Sequence, residues 1–181
     1  MILAMAGLPG SGKSTIARAL SLELPAVVIS KDEIRTRLFT PAEIDYSPDQ
    51  DAVCFCEMLR HAEAFLTRSP DQWVILDGRT FSRARDMEQV MALADRIGQP
   101  LHVIRCYCSD DEARRRLEAD LREMRHPAAN RDYDLYLEIK SRQEPLPLAA
   151  LDLDTSPDPD TCLTRCLDYL TAPPPRPPEP A

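Results

Sequence analysis

An apolar run, Ile2 to Ala6, leads directly into Gly7-Leu8-Pro9-Gly10-Ser11-Gly12-Lys13-Ser14-Thr15 and out into Ile16-Ala17-Arg18-Ala19-Leu20. Two glycines bracket four residues and are followed by Lys and Ser, which is the phosphate-loop pattern in the strand-to-helix setting that the pattern requires. Glycines let successive backbone N–H groups turn inward around phosphate oxygens, and the next helix points its positive end at the same anion. The chain is thereby constrained to an α/β fold whose first strand ends at an anion cradle. Gly7, Gly10, Ser11, Gly12, Lys13, Ser14 and Thr15 are the expected nucleotide-binding residues. Lys13 is placed to meet the β and γ phosphates, and the Ser14 hydroxyl to complete the shell of a nucleotide-held Mg²⁺.

The remaining pattern extends the same architecture. Short apolar runs at Ala26–Ser30, Trp73–Asp77, Leu101–Cys108 and Leu151–Asp154 alternate with amphipathic stretches, which predicts five parallel strands with right-handed helical crossovers. The expected fold is a three-layer sandwich of the P-loop NTPase kind, with helices on both faces of the sheet. Helices are expected from Pro48 to about Arg68, from about Arg83 to Ile97, from Asp110 until Pro127, and from Asn130 to Arg142. A last one is marked by Cys162, Leu163, Cys166, Leu167 and Leu170. Asp45 to Ser47 reads as an exposed turn. The organisation is one domain over residues 1–170, with a proline-rich extension from Thr171 to Ala181 that is expected to be solvated.

Composition narrows the partners. A formal net charge of −8 over 181 residues argues against a protein that coats a nucleic-acid backbone, although it leaves room for a local basic pocket. No apolar run reaches the length of a membrane span or of a signal-peptide core, so the expected setting is cytoplasmic. The six cysteines fall in three close pairs without zinc-site spacing or partnering histidines, and read as reduced thiols serving as small core residues.

A phosphate loop leaves the reaction open. Asp32 and Arg35, just past the second strand, narrow it, because ligands of open α/β sheets bind at that edge. A carboxylate there can take the proton of a hydroxyl that attacks phosphorus, and an arginine one helical turn on can hold the acceptor. Asp77, ending the third strand, is expected at the metal, alongside Ser14. Arg79 and Arg83 follow closely and can line an acceptor pocket, or can be ordinary helix-start charge, as can Arg85. Arg114, Arg115 and Arg116 occupy consecutive helical positions and read mostly as a solvated face paired with Glu112, Glu118 and Asp120. The Asn-Lys-x-Asp signature of a GTPase is absent.

Gly7 to Leu20, Ser30-Lys31-Asp32-Glu33-Ile34-Arg35, Val74 to Phe81 and the arginine-rich segment ending near Glu144-Pro145 resemble the small P-loop kinases. That group includes polynucleotide 5′-kinase domains, chloramphenicol phosphotransferase-like proteins and zeta-toxin and gluconate-kinase relatives. The resemblance spans about residues 1–170. It implies Lys13 and Ser14 on nucleotide and Mg²⁺, Asp32 as general base, Arg35 as an acceptor-binding arginine, and Asp77 as the acidic residue ending strand three. It also implies a helical lid at about residues 121–134, with Arg122, Arg125 and Arg131 as candidates for contacting the transferring phosphate. Arg125 is placed in the catalytic set, and Arg122 and Arg131 with the nucleotide.

The expected activity is ATP- and Mg²⁺-dependent phosphoryl transfer to a hydroxyl of a small metabolite or nucleotide, and the local arginine cluster would welcome an acceptor that is itself phosphorylated. A polynucleotide 5′-hydroxyl kinase is the enzymatic alternative, and a nucleotide-dependent regulatory ATPase is the alternative of another class.

Overall fold

The computed structural model describes residues 1–123 and 132–171. Among them, five strands run in parallel: β1 Ile2–Ala6, β2 Ala26–Ser30, β3 Trp73–Asp77, β4 Leu101–Tyr107 and β5 Leu151–Asp154. The strand order is β2-β3-β1-β4-β5, so the strand that feeds the phosphate loop is central. The helices are α1 Lys13–Glu23, α2 Lys31–Leu38, α3 Pro48–Arg68, α4 Ala84–Ile97, α5 Asp110–Glu123, α6 Tyr133–Ser141 and α7 Pro159–Thr171. The expected three-layer α/β sandwich is therefore the fold observed.

The period-two geometry of a strand divides the core in two. Ile2, Ala4 and Ala6 of β1, with Val74 and Leu76 of β3, pack against Phe55 and Met58 of α3 and Met87 and Val90 of α4. Leu3 and Met5, with Ile75 and Ile104, face the other way onto Ile16 and Leu20 of α1 and Cys162 and Cys166 of α7. Because both faces are covered, every residue of β1 and β3 is buried, which is why their sequences are continuous apolar runs.

Local signals set the helix ends. Pro48 occupies the first turn of α3 behind the capping hydroxyl of Ser47, which accepts from the Gln50 N–H. Asp132 caps α6 through the Leu135 N–H at 2.8 Å, so that helix begins at Tyr133; Asn130, where the sequence expectation starts it, lies outside the described residues. Gly98 ends α4 with φ +64°, the left-handed conformation favoured there. Thr171 belongs to α7 and not to the proline-rich extension.

Cys54, Cys106, Cys162 and Cys166 are buried free thiols, as expected of core residues, but Cys56 is exposed and Cys108 half-buried. α3 turns Cys54 inward, and a residue two positions on faces the opposite side of a helix. Burial pushes the Cys106 thiol up to about 12, so it stays protonated. No described helix is long and apolar enough to cross a membrane.

Candidate active site

The C-terminal edges of β1, β2 and β3 meet at the phosphate loop, because the sheet register sets Ser30 of β2 beside Asp77 of β3. The loop is pinned from two sides. The Gly7 N–H donates to the Thr80 carbonyl at 3.0 Å, and the Ser11 N–H to the Leu8 carbonyl at 3.2 Å. Gly12 precedes α1 with φ +82° and no side chain caps that helix, whose first turn holds no acidic residue. A helix N-terminus left without a side-chain cap or a carboxylate suits a phosphate. Lys13, 7 % exposed, lies back over the loop, its Nζ donating to the Leu8 carbonyl at 2.8 Å.

A cleft of about 840 Å³ opens in front of this loop, lined by Gly10, Gly12, Lys13, Ser14 and Thr15 on one side and Asp32, Arg35, Arg79 and Arg83 on the other. Gly7 and Ser11 lie behind the loop, on a smaller cavity of about 320 Å³ that also touches Cys106 and Tyr136. α2 begins with no intervening loop after β2, which carries Asp32 directly to the cleft. The carboxylate rests against Gly78, where φ is +85° and a Cβ would stand 3.3 Å from Asp32 Oδ2 and 3.2 Å from the Lys31 N. Glycine here leaves both the turn and the room that Asp32 occupies.

Asp77 is 5 % exposed, and its Oδ1 is buried with no hydrogen-bond partner among the described residues. A buried, unsatisfied carboxylate oxygen at the end of the strand next to the phosphate loop calls for a ligand. Asp77 is not among the residues lining the cleft, whereas Ser14 is; the two side chains supply hard oxygen donors of the kind that Mg²⁺ and its water shell take. The residues present fit that ion.

The wall opposite the loop is more elaborate than the sequence suggests. Arg35 is only 3 % exposed; its guanidinium donates to Gln50 Oε1 at 2.9 Å and pairs with Asp51 of α3. Lys31 and Arg79 pair with the same carboxylate, at 2.5 and 3.0 Å. Arg79 also bonds Asp86 at 2.8 Å and lies 4.1 Å over the Phe55 ring, so it is an anchored interior cation and not helix-start surface charge. Partial burial alone would raise the Asp51 pKa, but Lys31, Arg79 and Arg35 together outweigh it and hold the carboxyl below its usual value. Asp45 is exposed, as the turn reading expects, whereas Tyr46 is not: with φ +54° it turns half-buried toward Arg35, whose guanidinium sits 5.1 Å from its ring. Arg83 is half-buried at the N-cap of α4 and Arg85 is exposed.

On the arginine-rich helix, Arg114 and Arg115 pair with Glu118 and Glu112 as the solvated-face reading expects. Arg116 also pairs with Glu112, its Nε donating at 2.7 Å, but it is half-buried and reaches further than that face. Its Nη2 donates to the Thr155 carbonyl at 2.8 Å, and its Nη1 reaches Thr155 Oγ1 at 3.0 Å and the Gly10 carbonyl at 3.4 Å. The hydroxyl of Thr155, a residue 6 % exposed, in turn donates toward the Ser11 carbonyl at 3.0 Å. This latch joins the phosphate loop to α5 and to the end of β5. Thr155→Val keeps the shape but removes the hydroxyl from Arg116 and from the Ser11 and Tyr107 carbonyls, and is expected to cost about 1–3 kcal/mol in urea unfolding.

Arg122 is exposed near the end of α5 and is not among the residues lining the cleft. Arg125 and Arg131, with most of the expected lid, lie outside the described residues. Asp51, Asp86, Arg116 and Thr155 are the site residues that sequence reasoning missed. Asp51 hides in an ordinary acidic first turn, Pro48-Asp49-Gln50-Asp51, of the kind that simply complements a helix dipole.

Residues 2–134 match the model of a family described as an AAA domain. The chain belongs to the AAA domain family. Among solved structures, this AAA domain protein is similar to a candidate kinase from Chloroflexus aurantiacus, with TM-score 0.72, 24 % identity, and coverage of 94 % of this chain and 98 % of that one. It is also similar to the APS kinase of Mycobacterium tuberculosis in complex with AMPPNP and APS, with TM-score 0.63, 21 % identity, and coverage of 94 % and 97 %. A gluconokinase from Sinorhizobium meliloti follows, with TM-score 0.61, 12 % identity, and coverage of 94 % and 97 %. At these identities the likeness is one of fold, the small P-loop kinase fold. No curated protein matches the AAA domain chain with significance.

Proposed function

We propose that the protein is an ATP- and Mg²⁺-dependent kinase that transfers the γ-phosphoryl group to a hydroxyl of a small metabolite or nucleotide, in a cytoplasmic setting. The observation that carries this reading is the presence of Asp32 in the same cleft as Lys13 and Ser14. A nucleotide switch needs no carboxylate and buried arginines facing its phosphates, whereas phosphoryl transfer to an alcohol uses both.

In this reading the loop N–H groups and Lys13 bind the triphosphate, and Lys13 offsets charge on the β and γ phosphates. Ser14 and Asp77 would hold Mg²⁺, directly or through its water. That ion, when bound, neutralises phosphate charge and orients the group to be transferred. Asp32 accepts the proton of the acceptor hydroxyl as its oxygen bonds to the γ-phosphorus, and the bond to the bridging β–γ oxygen breaks to release ADP. Arg35, Arg79 and Arg83 position the acceptor. Arg122, Arg125 and Arg131 remain the candidates for a lid contact to the transferring group.

The test is ADP release from ATP over a panel of hydroxylated metabolites and nucleotides, with a 5′-hydroxyl oligonucleotide included and Lys13→Ala as blank. At least one small acceptor is expected to raise the rate above that with water. No stimulation by any of them moves the regulatory ATPase ahead, and stimulation by the oligonucleotide alone moves the polynucleotide kinase ahead.

A further inference from the structure

The cleft is strongly basic for so acidic a chain. Among the described residues, nine Lys and Arg side chains and four carboxylates line it, on a protein of net charge −8. Several of the cations stand at the phosphate loop, but Lys31, Arg35 and Arg79 converge on the opposite wall, on Asp51. Asp51 is the least buried member of this cluster: its side chain is 32 % exposed, against 11 %, 3 % and 12 % for the three cations. One planar carboxylate does not exhaust their donors. Nε of Arg35 and Nε of Arg79 are buried with no acceptor among the described residues. An unsatisfied guanidinium N–H away from water is costly, and two of them in one cluster mark a place where an acceptor atom is missing.

We infer that the three cations form a subsite for a tetrahedral oxyanion ester, a phosphate or sulfate group carried by the acceptor alcohol, and that Asp51 occupies its place when no acceptor is bound. This rests on the kinase reading only for the word acceptor; the oxyanion site stands on the cluster itself. A second planar monoanion gains nothing by replacing Asp51. A phosphate or sulfate group brings three terminal oxygens, and phosphate a second negative charge, to donors fixed in fork geometry. The Asp51 side chain, one-third exposed, has solvent to move into. Arg35 is also held by Gln50, and Arg79 by Asp86 and Phe55, so these two guanidinium groups keep their positions without it.

The experiment uses the full chain saturated with Mg²⁺ and a nonhydrolysable ATP analogue, which fills the phosphate loop, and titrates inorganic phosphate, sulfate and acetate by calorimetry. Phosphate or sulfate is expected to bind, and acetate at least about tenfold more weakly. Arg79→Gln is expected to weaken the oxyanion by about tenfold or more while nucleotide affinity holds. Asp51→Asn is expected to tighten it, because the internal competitor loses its charge; a purely structural Asp51 would instead leave binding unchanged or weaken it. Failure of both oxyanions to bind, acetate binding as tightly as either, or unchanged or weaker binding in Asp51→Asn would overturn the subsite. These outcomes separate from the kinase reading: a neutral alcohol that stimulates ADP release without oxyanion binding sinks the subsite alone. Oxyanion binding with no acceptor found in the panel sinks the kinase and leaves the subsite standing.

Discussion

Asp32→Asn is expected to bind ATP as the parent does and to lose phosphoryl transfer by about 10²–10⁴-fold, the range a positioned general base contributes. The substitution changes one atom, keeps the side-chain volume against Gly78 and removes the basic oxygen. It sits in the first turn of α2, across the cleft from the loop that grips the nucleotide, so ground-state binding of ATP does not depend on it. Fluorescent-nucleotide titration and ADP release, run on the same preparation, give the two halves of the result. Transfer at the parental rate in Asp32→Asn removes the assigned base. Equal loss of nucleotide affinity and transfer would instead mean that Asp32 shapes the phosphate site.

The parts of this site legible in the sequence are those built from neighbours along the chain. The phosphate loop is one continuous segment, and Asp32 and Asp77 stand at or just past strand ends that apolar runs announce. The five parallel strands follow from alternation alone, but their order does not, since a hydrophobic run carries no label for the strand beside it. The Asp51 cluster was illegible for a related reason. Its ion pairs join residues 20, 16 and 28 positions apart, from α2, α3 and the segment after β3. Each member looks like surface charge until the helices pack. Arg116 hid among three consecutive arginines, and only the approach of the β5 end, 39 residues away, distinguishes it from its neighbours. Local period identifies which face is apolar; it says nothing of which charged residue on the boundary is taken inside.

Gly7→Ala should abolish nucleotide binding and cost more stability than any other glycine substitution of the same kind. At Gly7 φ is +133°, and a Cβ would fall 2.2 Å from the Cys106 carbonyl oxygen and 2.8 Å from Ser11 Oγ. The first is backbone of a central strand and cannot swing aside, so β1 and β4 must separate or the loop must leave its path. The backbone conformation alone costs on the order of 1–3 kcal/mol for a residue with a Cβ, before the clash is counted. Gly98 supplies the comparison that separates the two contributions. Its φ is +64°, nothing lies within 4 Å of the added carbon, and it closes a helix far in sequence from the loop. Gly98→Ala is therefore expected to lose only about 1–2 kcal/mol, the left-handed penalty, and to bind nucleotide normally. Thermal unfolding and nucleotide titration of the pair decide the matter: similar losses in both would mean that the loop yields at Gly7, and that its close approach to β4 is not what holds the anion cradle in shape.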